Sequence, residues 1–220
     1  MSEPTAFFQA IQAGDAATVT DLVEARAELL EARSPSGLSP VLFAAYYKRP
    51  EIAALLVELG APLTPHEAAA AGAGERLAAL LDHDPGILHQ PSPDGFSLLG
   101  LCAFLGHAEL AHELLGRGAG VNEPSRNPMR VTPLHSAVAG DHAGLALLLL
   151  EAGAEVNAVQ HGGFTPLMSA ARNGNLTLVR ALLERGAHAG ARNDEGRSAR
   201  ELALEEGHAE VAGLLAGPPG

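Results

Sequence analysis

The sequence is poor in the residues that build disulfides, aromatic stacking surfaces and basic faces. Its 220 residues include one cysteine, no tryptophan, two tyrosines and six phenylalanines. A single cysteine excludes an intrachain disulfide and a zinc site built from several cysteines, and so few aromatics provide no stacking platform for single-stranded nucleic acid. Fourteen basic against 26 acidic residues give a net charge of −12, which repels a phosphate backbone. We therefore expect no nucleic-acid partner.

Long apolar runs and a secretory start are also missing. Apolar runs are short, such as the six residues of Leu145 to Leu150, whereas a membrane-spanning helix needs about 20. The start of the chain, Met1-Ser2-Glu3-Pro4-Thr5, lacks the basic segment and the apolar stretch of a leader peptide. The sequence therefore predicts a cytoplasmic protein without membrane insertion.

A short pattern of six positions recurs along the chain at intervals of 33–35 residues, with one shorter interval of 25 between Ser39 and Thr64. Its clearest copy, Thr132-Pro133-Leu134-His135-Ser136-Ala137, returns from Thr165 and, at the same spacing, again from Ser198. Weaker copies begin upstream, at Thr5, Ser39, Thr64 and Ser97. Seven copies spread along nearly the whole chain predict one array of repeated units.

Each copy carries the start and stop signals of two short helices. A hydroxyl side chain caps the N-terminus of a helix, and a proline directly after it loses no helical hydrogen bond. Glycine, which adopts left-handed backbone angles at low cost, is typical of a helix end. It falls after the first helix at Gly14, Gly106, Gly174 and Gly207, and after the second at Gly60, Gly118, Gly153 and Gly186. Polar, glycine-rich segments such as residues 156–163 suit hairpin-like loops between the pairs.

This unit resembles the ankyrin repeat, which has a period of about 33 residues and carries the signature T-P-L-H-x-A. The Thr132 copy matches the whole signature, and Gly153-Ala154-Glu155-Val156-Asn157-Ala158 is similar to the family's segment after the second helix. The resemblance implies an all-α ankyrin-repeat solenoid of about seven stacked helix–turn–helix units with short hairpin-like loops, in a single domain over residues 1–220. The expected units lie near residues 5–36, 37–61, 62–93, 94–128, 129–161, 162–194 and 195–217.

Two junctions depart from this pattern. Gly60-Ala61-Pro62-Leu63 runs directly into Thr64, so we expect that repeat to lack its preceding loop and to leave a notch. Asp82-His83-Asp84-Pro85-Gly86 interrupts the usual ending of a second helix.

Stacked repeats bury their helix faces against neighbours and leave an extended surface, so the resemblance implies a non-catalytic protein–protein interaction scaffold. In the family, partners contact the loop tips and the exposed end of the first helix, on the concave face. Aromatic residues and arginines concentrate at these positions, as they do in binding hot spots. The expected partner-binding residues are Tyr46, Tyr47, Phe96, Phe104, Leu105, Arg126, Arg130, Phe164, Arg172 and Asn173.

The partner itself is not identified by the sequence. The same apolar side chains would suit a homodimer, and the aromatic residues could instead fill gaps between repeats. Both alternatives stay open at this point.

A cluster of acidic residues and histidines raises the alternative of a metal-dependent enzyme or small-ligand binder. It consists of Asp82, His83, Asp84 and His89. Pro85 interrupts it, and no helical His-x-x-x-His pair presets a ligand geometry. We therefore expect no metal, no cofactor and no catalytic residue.

The other chemically active side chains have structural explanations within the repeat. His66 and His135 are interpreted as the signature histidine, whose ring is expected to bond backbone between repeats. Cys102 takes the place of the small buried alanine of the other copies, which predicts a packed and unreactive thiol.

Overall fold

The computed structural model describes residues 3–216, which form fourteen α-helices, three short 3-10 helices and no β-strand. The predicted all-α fold is confirmed. Contacts between Cα atoms divide the chain into two units, Met1–Ile87 and Leu88–Gly220. The single domain and its unit boundaries stay a prediction, and its ends at residues 1–2 and 217–220 lie outside the described range.

The first unit contains three helix pairs packed on an apolar core. Phe7, Ile11, Ile52 and Leu56 are among its fully buried side chains. Two 3-10 helices, Ala27–Glu31 and Pro85–His89, follow the second helices of the first and third pairs. The pairs are α1 (Glu3–Ala13) with α2 (Ala16–Ala25), α3 (Pro40–Tyr46) with α4 (Pro50–Glu58), and α5 (Pro65–Ala71) with α6 (Gly74–His83).

The second unit contains four helix pairs. Fully buried leucines, among them Leu98, Leu134, Leu149 and Leu167, fill the space between the pairs. The pairs are α7 (Leu98–Leu105) with α8 (Ala108–Gly116), α9 (Pro133–Ala139) with α10 (Ala143–Glu151), α11 (Pro166–Arg172) with α12 (Leu176–Glu184), and α13 (Ala199–Glu205) with α14 (Ala209–Leu214). Each of the seven predicted copies therefore corresponds to one helix pair.

The repeated hydroxyl starts the first helix in six of the seven pairs. In each, the side-chain oxygen accepts a hydrogen bond from the N–H three residues later, as predicted; the capping residues are Ser39, Thr64, Ser97, Thr132, Thr165 and Ser198. The same assignment is wrong for Thr5, because α1 already includes Glu3 and Pro4. Proline is tolerated in the first turn of a helix, so the helix begins before the hydroxyl.

Two of the stop glycines are in close contact with a histidine of the next repeat. All eight predicted stop glycines have positive φ. In addition, a Cβ on Gly106 would lie 2.5 Å from the ring of His142, and a Cβ on Gly174 would lie 2.5 Å from the ring of His208. At these two positions glycine is required both by its own backbone and by its neighbour.

The junction between these two, where the repeat of α9 meets the repeat of α11, makes the same contact with different residues. Asp141, with φ of 62°, takes the place of the glycine, and Asn175 takes the place of the histidine. The Asn175 Nδ2 donates to Asp141 Oδ1 at 2.7 Å. A hydrogen-bonded pair thus replaces a ring packed on a glycine.

Asparagine side chains join successive repeats behind the second helices. The Asn157 Nδ2 donates to the carbonyl of Gly186 at 3.1 Å, and its Oδ1 accepts from the His188 N–H at 2.9 Å. Asn122 makes the same two bonds one repeat earlier, to Gly153 and Glu155.

Replacing Asn157 by alanine is expected to lower the free energy of unfolding by about 1–2 kcal/mol, because two hydrogen bonds are lost at groups that water reaches. Urea unfolding followed by circular dichroism measures the loss. Val159→Ala, two residues away at a 59% exposed site, is the control and should change the unfolding free energy by less than about 0.5 kcal/mol. Equal effects of the two substitutions would contradict the stabilising role of Asn157.

Candidate functional site

The first helix of a repeat buries its beginning and exposes its end. In α11, residues 166–171 are buried, whereas Arg172 and the following Asn173 are exposed. In α9, residues 133–138 are buried and Ala139 is exposed. The last turn of the first helix is therefore the part that presents side chains to solvent, at the positions expected from the sequence.

In the second unit, three of the expected residues lie around the end of α11. The guanidinium carbon of Arg172 lies 5.3 Å from the centroid of the half-buried Phe164 ring, which is a cation–π contact. The Asn173 Nδ2 donates to the carbonyl of Val138 at 3.2 Å, which fixes its orientation. The Arg172 and Phe164 pair therefore presents one charged and one aromatic surface side by side.

Other expected residues of this unit reach solvent less fully. Phe96, Phe104 and Leu105 are half-buried. His142 Nε2 lies 3.1 Å from the Phe104 carbonyl, so the end of α7 is held by the next repeat. These side chains are therefore only partly accessible to a partner.

Hairpin-like loops precede the first helices, as the sequence predicts. We call them finger loops; each is closed by a hydrogen bond from the N–H of its first residue to the carbonyl of its last, and they comprise residues 34–38, 92–96, 125–131, 160–164 and 193–197. In the second unit, neighbouring finger loops are also bonded to one another: Arg126 N–H to Gly95, His161 N–H to Met129, and Asp194 N–H to Gly162. The backbone of these loops is thereby fixed as one ladder.

The finger loops carry both expected and unexpected exposed side chains. Arg126 and Arg130 are exposed, as expected, and the Arg126 guanidinium lies 3.5 Å from the Glu123 carboxylate. Met129 is 47% exposed, and Val159, which directly precedes the loop at 160–164, is 59% exposed. Neither is among the expected binding residues, because an aliphatic side chain in a loop carries no binding signal in the sequence.

In the first unit, Tyr47 stands at the end of a row of aromatic rings. It is 44% exposed, and its ring centroid lies 4.4 Å from that of Phe43, which in turn lies 5.0 Å from Phe8. Tyr46 is half-buried. The buried Phe43 was missed as a site residue, although its position four residues before Tyr47 places both on one helix face.

The predicted missing loop leaves an opening in the first unit. Residues 59–64 lead from α4 into α5 without a finger loop, and a cavity of about 280 Å³ lies beside Pro62, Leu63 and Thr64. Glu67 is buried next to this cavity, where its carboxylate accepts from the Thr64 N–H at 2.7 Å.

This geometry also corrects one assignment made from the sequence. His66 does not occupy the signature histidine position: three residues after the capping Thr64 comes Glu67, which completes a capping box. His66 is buried at the position that leucine takes in the Thr132 copy.

His135 has the role expected of the signature histidine. Its Nδ1 lies 2.8 Å from Thr132 Oγ1 and its Nε2 lies 3.2 Å from the carbonyl of Phe164 in the next repeat. Burial lowers the pKa of His135 to about 4. The ring is therefore neutral at pH 7, a fixed hydrogen-bonding group rather than a proton carrier.

The residues considered for metal or nucleophilic chemistry are not arranged for it. Among residues 3–216, no group of three or more histidine, cysteine, aspartate or glutamate side chains is placed to hold a metal ion, so the Asp82, His83, Asp84 and His89 segment forms no ligand set. Cys102 is fully buried, which confirms the predicted packed position, and burial raises the pKa of its thiol.

Comparison with known families identifies the class of the protein. A model for three copies of ankyrin repeats matches residues 66–160, and a model for many copies matches residues 149–203. The chain belongs to the ankyrin-repeat family, whose members are generally protein–protein interaction modules and typically non-catalytic. A search of curated proteins gives no match.

None of the helices within the described range is long and apolar enough to cross a bilayer.

Proposed function

We propose that this protein is a non-catalytic scaffold that binds a partner protein through its concave face, with the finger-loop tips and the ends of the first helices in contact with the partner. The exposed end of α11 carries this proposal: the helix buries six consecutive residues and then presents Arg172 and Asn173 beside the ring of Phe164. Aromatic and arginine side chains contribute most to binding energy at protein interfaces. The proposed setting is the cytoplasm.

The ladder of hydrogen bonds between finger loops supports the same function. Binding by mobile loops loses affinity because the loops must be ordered. The loops of the second unit are already held together by backbone hydrogen bonds, so Met129, Arg126 and Arg130 are presented on a rigid frame. Such an arrangement favours recognition of a folded surface with little ordering cost.

Changing the exposed helix ends is expected to weaken partner capture without unfolding the protein. The test compares the wild type with Arg172→Ala and with a Tyr46→Ala, Tyr47→Ala double variant in pull-downs from native extract, followed by binding measurements with the purified partner. At least one variant should weaken binding about tenfold or more, a loss of about 1.4 kcal/mol. Removal of the Arg172 contact with Phe164 should cost only about 0.5–1 kcal/mol of stability.

His112→Ala, at an exposed site on α8, is the matched control and should bind as the wild type does. A partner that both variants capture as well as the wild type would refute the proposed surface. A partner that is a second copy of this chain would appear as a concentration-dependent dimer in sedimentation and would make the scaffold a homodimer.

A further inference from the structure

The first unit contains an open groove beside the row of aromatic rings, which we call the aromatic groove. It has a volume of about 480 Å³. Phe8 and Phe43 are buried beneath it, Tyr47 stands beside it, and residues 34–36 of the first finger loop also line it. This volume is within the range of about 300–1,000 Å³ of sites that bind small ligands and side chains. The aromatic side chains give it an apolar floor.

Two glutamines give the groove a polar edge suited to a peptide backbone. Gln9 and Gln12 line it from α1, and both are exposed. Residues three apart on a helix share a face, and each side-chain amide both donates and accepts hydrogen bonds. An extended peptide, whose own N–H and C=O groups are unpaired, fits such an edge better than a preformed helix does.

The one charged side chain among the described residues that line the groove is a cation. The chain has 26 acidic against 14 basic residues, yet the described residues that line the groove include Arg33 and no aspartate or glutamate. Arg33 has a 61% exposed side chain and forms an ion pair with the buried Glu67 carboxylate, at 3.8 Å between Nη1 and Oε1. Because a guanidinium has five N–H donors, this one ion pair leaves donors for a second carboxylate.

Two more cations follow Tyr47 directly in the chain. Lys48 is exposed, and Arg49 donates from its Nε to the carbonyl of Gln12 at 2.9 Å. Because Gln12 lines the groove, Arg49 adds positive charge next to it. A carboxylate is locally favoured here, although the remainder of this acidic chain repels it.

We infer that the aromatic groove docks an extended segment of a partner protein in which an apolar side chain lies next to a carboxylate. The apolar side chain packs on Phe8, Phe43 and Tyr47, the backbone pairs with Gln9 and Gln12, and the carboxylate binds Arg33. This inference rests on the proposed function, since it specifies the kind of partner segment that the first unit binds.

The test uses a phage-displayed library of random twelve-residue peptides, selected on the immobilised full chain. The selected peptides are synthesised, and their binding is measured by fluorescence anisotropy with the wild type and the variants Arg33→Gln, Arg33→Lys and Tyr47→Ala. We expect selected peptides to share an aspartate or glutamate within about three residues of an aliphatic or aromatic residue. Arg33→Gln and Tyr47→Ala should weaken binding at least tenfold, and Arg33→Lys, which keeps the charge, should restore most of it.

Arg200→Gln, the same chemical change at an exposed site on α13 of the second unit, is the control and should leave peptide binding unchanged. Thermal unfolding of each variant distinguishes lost binding from lost structure. Selection of peptides without carboxylates, binding that survives Arg33→Gln, or selection of no peptide would overturn the inference. If a protein partner is captured and lost with Arg172→Ala while no peptide depends on Arg33, the groove inference fails and the scaffold function stands; if neither partner nor peptide binds, both fail.

Discussion

Replacing Leu182 by alanine is expected to lower the free energy of unfolding by about 2–5 kcal/mol. Leu182 lies on α12 with no exposed surface, and α12 contacts α10 on one side and α14 on the other. The smaller side chain loses its transfer free energy and leaves a cavity between helices that are held by neighbours on both sides. Denaturant unfolding of the full chain, followed by circular dichroism, measures the effect.

The chain offers a matched control for this substitution. Leu204→Ala makes the same chemical change in α13, where the side chain is 50% exposed, and we expect a loss below about 1 kcal/mol. If Leu182→Ala lowered the unfolding free energy no more than Leu204→Ala does, Leu182 would not be buried between α12 and its neighbours.

Stability is expected to fall by roughly 3 kcal/mol as the pH is lowered from about 6.5 to 4, because of His135 alone. The pKa of His135 is about 4 in the folded protein, below its ordinary value of 6.5. Between these two values the unfolded chain binds more protons at this residue than the folded chain does, so protonation favours unfolding. Well above pH 6.5 protonation of His135 takes no free energy from folding, and well below pH 4 it causes no further loss of stability.

The measurement compares the pH dependence of unfolding in the wild type and in His135→Gln, which has no titrating ring. The amide can still donate to the Phe164 carbonyl, so the variant is suited to the comparison. Its stability should decline less steeply than that of the wild type between pH 6.5 and 4. Exposed His188 provides the control, and His188→Gln should follow the wild-type curve. Parallel curves for the wild type and His135→Gln would refute the buried, neutral histidine.

The helices could be predicted from the sequence because their signals are local. A hydroxyl that caps a helix and a glycine that ends it act within a few residues, and they placed six of the seven first helices at their starting residue. The error at Thr5 has the same origin: Glu3 and Pro4 are also good first-turn residues, so the local signals there favour a helix that begins before the hydroxyl.

The candidate site was predicted less completely because exposure depends on neighbouring repeats. Phe43 lies in α3 and Tyr47 directly follows the helix, yet Tyr47 is 44% exposed and Phe43 only 7%. The aromatic groove depends on Arg33, which lies in a different repeat from Tyr47, and nothing in the local sequence indicates that they line one cavity. Tertiary packing, which the repeat pattern does not encode, decides which side chains face a partner.

The contacts between stop residues and the following repeat restrict how these repeats can be exchanged. Gly106 is matched to His142, whereas Asp141 is matched to Asn175. A repeat transplanted behind the wrong neighbour would press a histidine ring onto an aspartate, or leave an asparagine facing a bare glycine. The repeats share one pattern of paired helices, but they cannot be exchanged freely. Each repeat fits its predecessor, and the order of the array depends on residue pairs more than 30 positions apart.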